Sequence, residues 1–198
     1  MTPPAAHMAH AAEILLMAVV VPLWIAAGLA DWWCHRRTRI EQTSGLRENL
    51  FHWALLAQAG VALAAAALLE VTAGVLLLAV AAFLAHEATT HAELRYTVPK
   101  REVRVGEQMV HSFMEILPLV LVLVLAVAGW PQVQALFGAG DADFGFRPKV
   151  QPWPAAWLLG AAAAVAAFNV LPVAEETRRC LRARAGLRTR TPAPPAPR

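Results

Sequence analysis

The sequence predicts an all-α polytopic membrane protein: an antiparallel four-helix transmembrane bundle with a fifth transmembrane helix. Three observations carry this. The chain has 198 residues, 58% hydrophobic and 16% charged, with a mean hydropathy of +0.49. Soluble domains are about a quarter charged and somewhat under half apolar. Five apolar runs approach the ~20 residues that a helix needs to cross a bilayer. Finally, 15 of the 17 basic residues fall on one side of those runs. This composition excludes an ordinary soluble enzyme, a disordered chain and a secreted disulfide scaffold.

The predicted spans cover residues 11–33, 49–69, 71–91, 111–129 and 154–173. The first has no basic segment before it, so it reads as a span and not as a cleavable signal. Glu70, Thr72 and Gly74 interrupt the greasy stretch between the second and third, which predicts a tight hairpin. Pro131, Gly138 and residues 140–143 mark a longer loop after the fourth. Residues 1–177 form one transmembrane domain in this reading. Residues 178–198, rich in arginine and proline, are expected to be a disordered cytoplasmic tail.

The charge distribution sets the orientation. Arg36, Arg37, Arg39 and Arg47 lie between the first two spans, and Arg95, Lys100, Arg101 and Arg104 between the third and fourth. Seven arginines follow the fifth, whereas only Arg147 and Lys149 fall opposite. The positive-inside rule then puts the amino terminus outside and the carboxyl terminus in the cytoplasm of a bacterial-type inner membrane. The pI near 9.4 reports topology and contact with anionic membrane lipids, and no nucleic acid is needed to explain it.

Against this scarcity of charge, one pattern repeats. An acid is followed four residues later by a histidine in Asp31/His35, Glu48/His52, Glu87/His91 and Glu107/His111. Residues four apart share a helix face, so each pair offers a carboxylate and an imidazole together. One pair falls on each of the first four spans, always at the cytoplasmic end. Spans one and three finish with it, and spans two and four begin with it. His86 precedes Glu87, and Glu115 sits four beyond His111, extending the set to ten residues. The fifth span carries no such pair and reads as packing support.

Ionisable side chains at membrane depth are costly unless paired or coordinating. Mixed carboxylate and imidazole ligands from four helices are how bundle proteins hold two iron or manganese ions. Oxygen and nitrogen donors without cysteine argue against copper(I) and iron–sulfur clusters, while zinc remains compatible. Cys34 and Cys180, far apart in the chain, suggest neither a disulfide nor a metal knuckle.

The His86–His91 spacing resembles the first histidine box of membrane desaturases and hydroxylases, HxxxH or HxxxxH. It lacks their later paired histidines and is richer in carboxylates. The carboxylate–histidine mixture is also similar in logic to the ferritin-like di-iron proteins, without their Glu-x-x-His spacing. The resemblance spans about Asp31 to Glu115. It implies a di-iron centre that uses oxygen to hydroxylate or desaturate a lipid or similarly hydrophobic substrate, with electrons from a cytoplasmic donor. A zinc-dependent lipid hydrolase, a metal transporter or sensor, and a haem protein are the alternatives.

Overall fold

The structure is a computed structural model and describes residues 4–190. Among these, every element of length is helical, and the only β contact is a single antiparallel bridge between Leu69 and Pro148. The first span is a continuous rod of α1 (Pro4–Leu15), a π-helical turn (Leu16–Val20) and α2 (Val21–Thr38). Then come α3 (Leu46–Leu68), α4 (Ala73–Thr97), α5 (Val105–Ala128) and the short α6 (Trp130–Leu136). The last rod is built like the first, from α7 (Ala155–Val165), a π-helical turn (Ala166–Val170) and α8 (Leu171–Arg190).

Both π turns have the same local cause. Pro22 and Pro172 each stand two residues beyond one. A helical proline has no N–H to donate, and its ring crowds the carbonyl four residues back. Those carbonyls belong to Ala18 and Phe168, inside the wider turns that relieve the crowding. The two rods meet at this level. Asn169, in the second π turn, donates its side-chain amide to the Ile25 carbonyl at 3.2 Å. Gly28 makes room for it, since a Cβ there would lie 2.2 Å from Asn169 Nδ2.

Five helices are long and apolar enough to cross a membrane: His7–Thr38, Leu46–Leu68, Ala73–Thr97, Val105–Ala128 and Ala155–Gly186. The chain is thus a multi-pass membrane protein by length and composition, with its first and last spans longer than the apolar runs alone. Helix α3 packs on α4, α4 on α5 and α5 on α2, while the last rod lies against α2 and α3. The apolar core joins Leu16, Val20 and Trp24 to Ala62 and Ala66 of α3, Ala79 of α4, and Leu121 and Leu125 of α5. The run of alanines on α3 lets neighbouring backbones approach closely, the usual device of membrane helix packing.

The hairpin between α3 and α4 is as tight as expected. The Thr72 side chain accepts from Val75 N at 3.2 Å and caps α4. The loop before α7 folds back over this turn: Glu70 N donates to Arg147 O at 2.9 Å and Gly74 N to Asp143 O at 3.1 Å. Gly74 permits the approach, because a Cβ would meet the Phe144 carbonyl at 2.6 Å. Lys149 crosses to Glu13 at 2.5 Å.

The tail differs from expectation. Residues 178–190 continue α8 as helix where the sequence reading placed disorder from Arg178; residues 191–198 lie outside the described residues. Composition overlooked two anchors. Trp32 Nε1 donates to Glu175 at 3.0 Å, and Arg179 binds both Glu175 and Glu41. Leucine, alanine and arginine, which dominate the segment, are also good helix formers.

Candidate metal centre

Each helix buries a stripe, and at the end flanked by the basic loops those stripes turn polar. On α2 the stripe ends in Asp31 and His35. On α3 it begins with Glu48, Asn49 and His52, and on α5 with Glu107. Helix α4 brings His86 and Glu93, and α8 brings Glu176. All of these are buried, and His35, Glu48, Asn49, Glu107 and Glu176 are at most 1% exposed.

Glu176 organises the centre. Its Oε2 lies 3.1 Å from His35 Nδ1, and its Oε1 lies 2.6 Å from His52 Nδ1. Asn49 Nδ2 adds a donor to Oε1 at 2.9 Å, and Asn49 Oδ1 in turn accepts from Thr177 at 2.7 Å. The two imidazoles stack, with centroids 4.4 Å apart and planes 11° from parallel. A carboxylate that accepts from the Nδ1–H groups of two neutral imidazoles would leave a lone pair on both Nε2 atoms.

Those Nε2 atoms face acids. His35 Nε2 lies 3.3 Å from Asp31 Oδ1, 3.4 Å from Glu107 Oε1 and 3.9 Å from Glu48 Oε1, yet is buried without a hydrogen-bond partner. His52 Nε2 is 3.0 Å from Glu93 Oε1, and His111 Nε2 is 2.9 Å from Asp31 Oδ1. Three groups of donor atoms close enough to share a cation result: Asp31/His35/His52, His35/Glu107/His111 and Glu48/His52/Glu93. Buried carboxylates and imidazoles here could hold a metal ion.

Arg101, from the loop between α4 and α5, reaches into this end with a side chain only 3% exposed. Its Nη2 is 2.5 Å from both Glu48 Oε1 and Glu107 Oε1. Burial opposes its charge, but the hydrogen bonds to Glu48 and Glu107 prevail and hold the guanidinium pKa above its ordinary value. Ser44 bonds the other oxygen of Glu48. Nearby, Tyr96 donates to the Ser44 carbonyl at 2.8 Å and carries Lys100 Nζ 3.8 Å above its ring.

Of the ten residues singled out in the sequence, six converge: Asp31, His35, Glu48, His52, Glu107 and His111. The α4 pair does not. His91 is exposed and Glu87 half-buried, while His86 is buried but stands apart from the three groups. Glu115 is half-buried at the edge of a large cavity. The buried stripe of α4 runs Ala79, His86, Glu93 and Thr97. At 3.6 residues per turn, Glu87 lies about 100° off that stripe and His91 about 140° off. Glu93, seven residues beyond His86 and so on the same face, takes the place expected of Glu87. Its signal was the seven-residue interval, which a search for four-residue intervals passes over. Glu176 was missed because the fifth span holds no histidine, although Asn169, Pro172, Glu176 and Cys180 mark one buried face.

That cavity, of about 670 Å³, opens from the centre into the apolar half. Asp31, His52, His86, Glu93, His111 and Glu115 line its polar end; Trp24, Leu63, Ala67, Trp153 and Trp157 line the remainder. The chain matches no known protein family, no curated protein and no solved structure.

Proposed function

We propose that this chain is a membrane metalloenzyme with a dinuclear centre, iron being the first choice and zinc or manganese the alternatives, that oxidises a lipid or similarly hydrophobic substrate with dioxygen. The observation that carries the reading is Glu176 held between His35 Nδ1 and His52 Nδ1. A carboxylate behind a ligating histidine is the arrangement that metal sites use to orient the imidazole and raise its basicity. Here one carboxylate serves two stacked rings, and a neutral His35 would turn its lone pair on three acids.

Charge supports two ions. Asp31, Glu48, Glu93, Glu107 and Glu176 are five buried acids facing one buried guanidinium, Arg101. With neutral imidazoles, four negative charges remain, the amount that two divalent cations supply. Buried charge of this size is untenable without partners. The three ligand groupings also adjoin one another through His35 and His52, and each imidazole, with Nδ1 given to Glu176, has one nitrogen left for one ion. A single hydrolytic zinc would need only three of these residues and a water.

In a hydroxylation, the substrate C–H and dioxygen, with two electrons and two protons, yield an alcohol and water. The electrons would come from a donor at the basic face, which the positive-inside rule assigns to the cytoplasm. Elemental analysis of protein purified without chelators should give about two metals per chain, with optical bands that change on admitting oxygen. Metal-free protein after reconstitution with iron, manganese and zinc in turn would refute the reading.

A further inference from the structure

The cavity, walled by α2, α3 and the last rod and closed at its polar end by α4 and α5, is larger than a metal centre requires, and its shape follows the membrane. It touches α3 from His52 to Leu68, so at 1.5 Å per residue it is roughly 24 Å long, more than half of the ~30 Å hydrocarbon thickness. Its volume of about 670 Å³ falls within the ~300–1,000 Å³ of small-molecule sites. The covering rod packs loosely: no residue of α7 is buried, and only 11% of the span's most apolar window is, against 28–39% for the other four. Gly60 and Ala64, one turn apart on α3, line the cavity and are exposed, so it opens sideways toward lipid.

The polar end discriminates among head groups. Glu115, which lines that end outside the three ligand groups and so is not neutralised by a bound metal, repels an anion and disfavours a fatty-acid carboxylate or a phosphate arriving head first. An uncharged oxygen function finds partners there. His86 is 3% exposed, lines the cavity and has a buried Nδ1 without a hydrogen-bond partner; the Thr90 side chain lines the same end one turn further on. A buried polar atom left unpaired is costly, and a bound hydroxyl or carbonyl would relieve it.

We propose that this cavity binds a single-chain lipid bearing an uncharged hydroxyl or carbonyl head, with the head at His86 and Thr90 beside the candidate metal centre and the hydrocarbon chain along α3 toward Trp153 and Trp157. It names the substrate class of the proposed enzyme and rests on that reading for its chemistry, though binding itself needs no metal.

A dibrominated octadecanol is a suitable probe because bromine quenches tryptophan on contact, and Trp24, Trp153 and Trp157 line the cavity. Full-length protein in detergent is titrated with this alcohol, with the matching aldehyde and with the matching carboxylate. The expected result is saturable quenching by the alcohol or the aldehyde, at least about ten-fold tighter than by the carboxylate. Which of the two binds more tightly identifies the head as hydroxyl or carbonyl. A Cβ on Gly60 meets open space, so Gly60→Phe fills the cavity without a backbone clash. It should weaken probe binding at least about ten-fold, and Ala64→Phe repeats the test should Gly60→Phe fail to fold. His86→Leu should abolish the preference of the neutral head over plain dibrominated octadecane. Unchanged binding in the folded phenylalanine variants, or equal affinity for the carboxylate, overturns the proposal. Metal content is measured on the same samples. Probe binding without metal refutes the metal centre alone, and metal without saturable probe binding refutes the lipid site alone.

Discussion

Replacing Glu176 by glutamine changes one oxygen to an NH2 group with almost no change of shape. Three donors converge on the native carboxylate: His52 Nδ1 and Asn49 Nδ2 on Oε1, and His35 Nδ1 on Oε2. An amide oxygen can still accept the first two, so its NH2 group is turned toward His35. There it meets another donor, and the ring escapes by moving its proton from Nδ1 to Nε2. That proton lands on the atom facing Asp31, Glu107 and Glu48 at 3.3, 3.4 and 3.9 Å, and His35 ceases to be a ligand. Losing a partner behind a metal ligand typically costs about 10–100-fold in affinity, or roughly 1.4–2.7 kcal/mol. The assay is a competition titration with a metal indicator, alongside nitrogen NMR of the His35 tautomer and a thermal melt. Glu175→Gln is the control, because Glu175 binds Trp32 and Arg179 away from the imidazoles. Wild-type affinity in Glu176→Gln, with His35 still protonated at Nδ1, would refute the organising role of Glu176.

Three further outcomes follow from the same geometry. His35→Ala should lose bound metal, whereas His91→Ala, at an exposed position, should keep it and change stability by no more than about 0.5 kcal/mol; elemental analysis and melting curves compare the two. Arg101→Met leaves Glu48 and Glu107 buried without their cation, so metal-free protein should lose about 3–5 kcal/mol. Added metal should then raise its melting temperature more than it raises that of wild type. In the loop before α7, the hydrogen bonds from Arg147 and from the Gly145 N–H hold the Asp143 carboxyl below its ordinary pKa. Its contribution is therefore complete above the unfolded value near ~3.9 and lost as pH falls through the lower folded value. Hydrogen exchange at Gly74 N, which bonds the Asp143 carbonyl, should accelerate only in that acid range, and Asp143→Asn should remove the pH dependence.

Much of this was legible in the sequence because a bilayer leaves few options. Backbone groups in hydrocarbon must bond within their own segment, so an apolar run of sufficient length becomes a helix. The Asp31, Glu48 and Glu107 pairs were readable because four residues is one turn, and on α2, α3 and α5 that turn faces inward. On α4 the same spacing misled. Which of its faces is buried depends on the neighbours, and the packing of Ala79 on the core commits the stripe to His86 and Glu93, leaving Glu87 and His91 on the flank. Arg101 was counted as one of many loop cations. Nothing local separates it from Lys100 or Arg104, since its role comes from two carboxylates on different helices.

The fifth span carries the largest revision, because its apparent lack of chemistry was itself a consequence of where the centre sits. A carboxylate behind two imidazoles has no need of a histidine beside it in sequence; it needs only a helix that passes behind α2 and α3. The last rod meets that need with two contacts about two turns apart. Asn169 seats against Gly28 and Ile25, and Glu176 reaches His35 and His52. Above Asn169 the rod scarcely packs, and there the cavity opens to lipid. One helix thus joins a rigid end that orients ligands to a loose end that admits a chain. Separate substitutions should therefore uncouple the two: Glu176→Gln should change metal affinity without changing probe binding, and Gly60→Phe should do the reverse. If either variant altered both properties, the rod would be acting as a single rigid cover and this division of labour would be wrong.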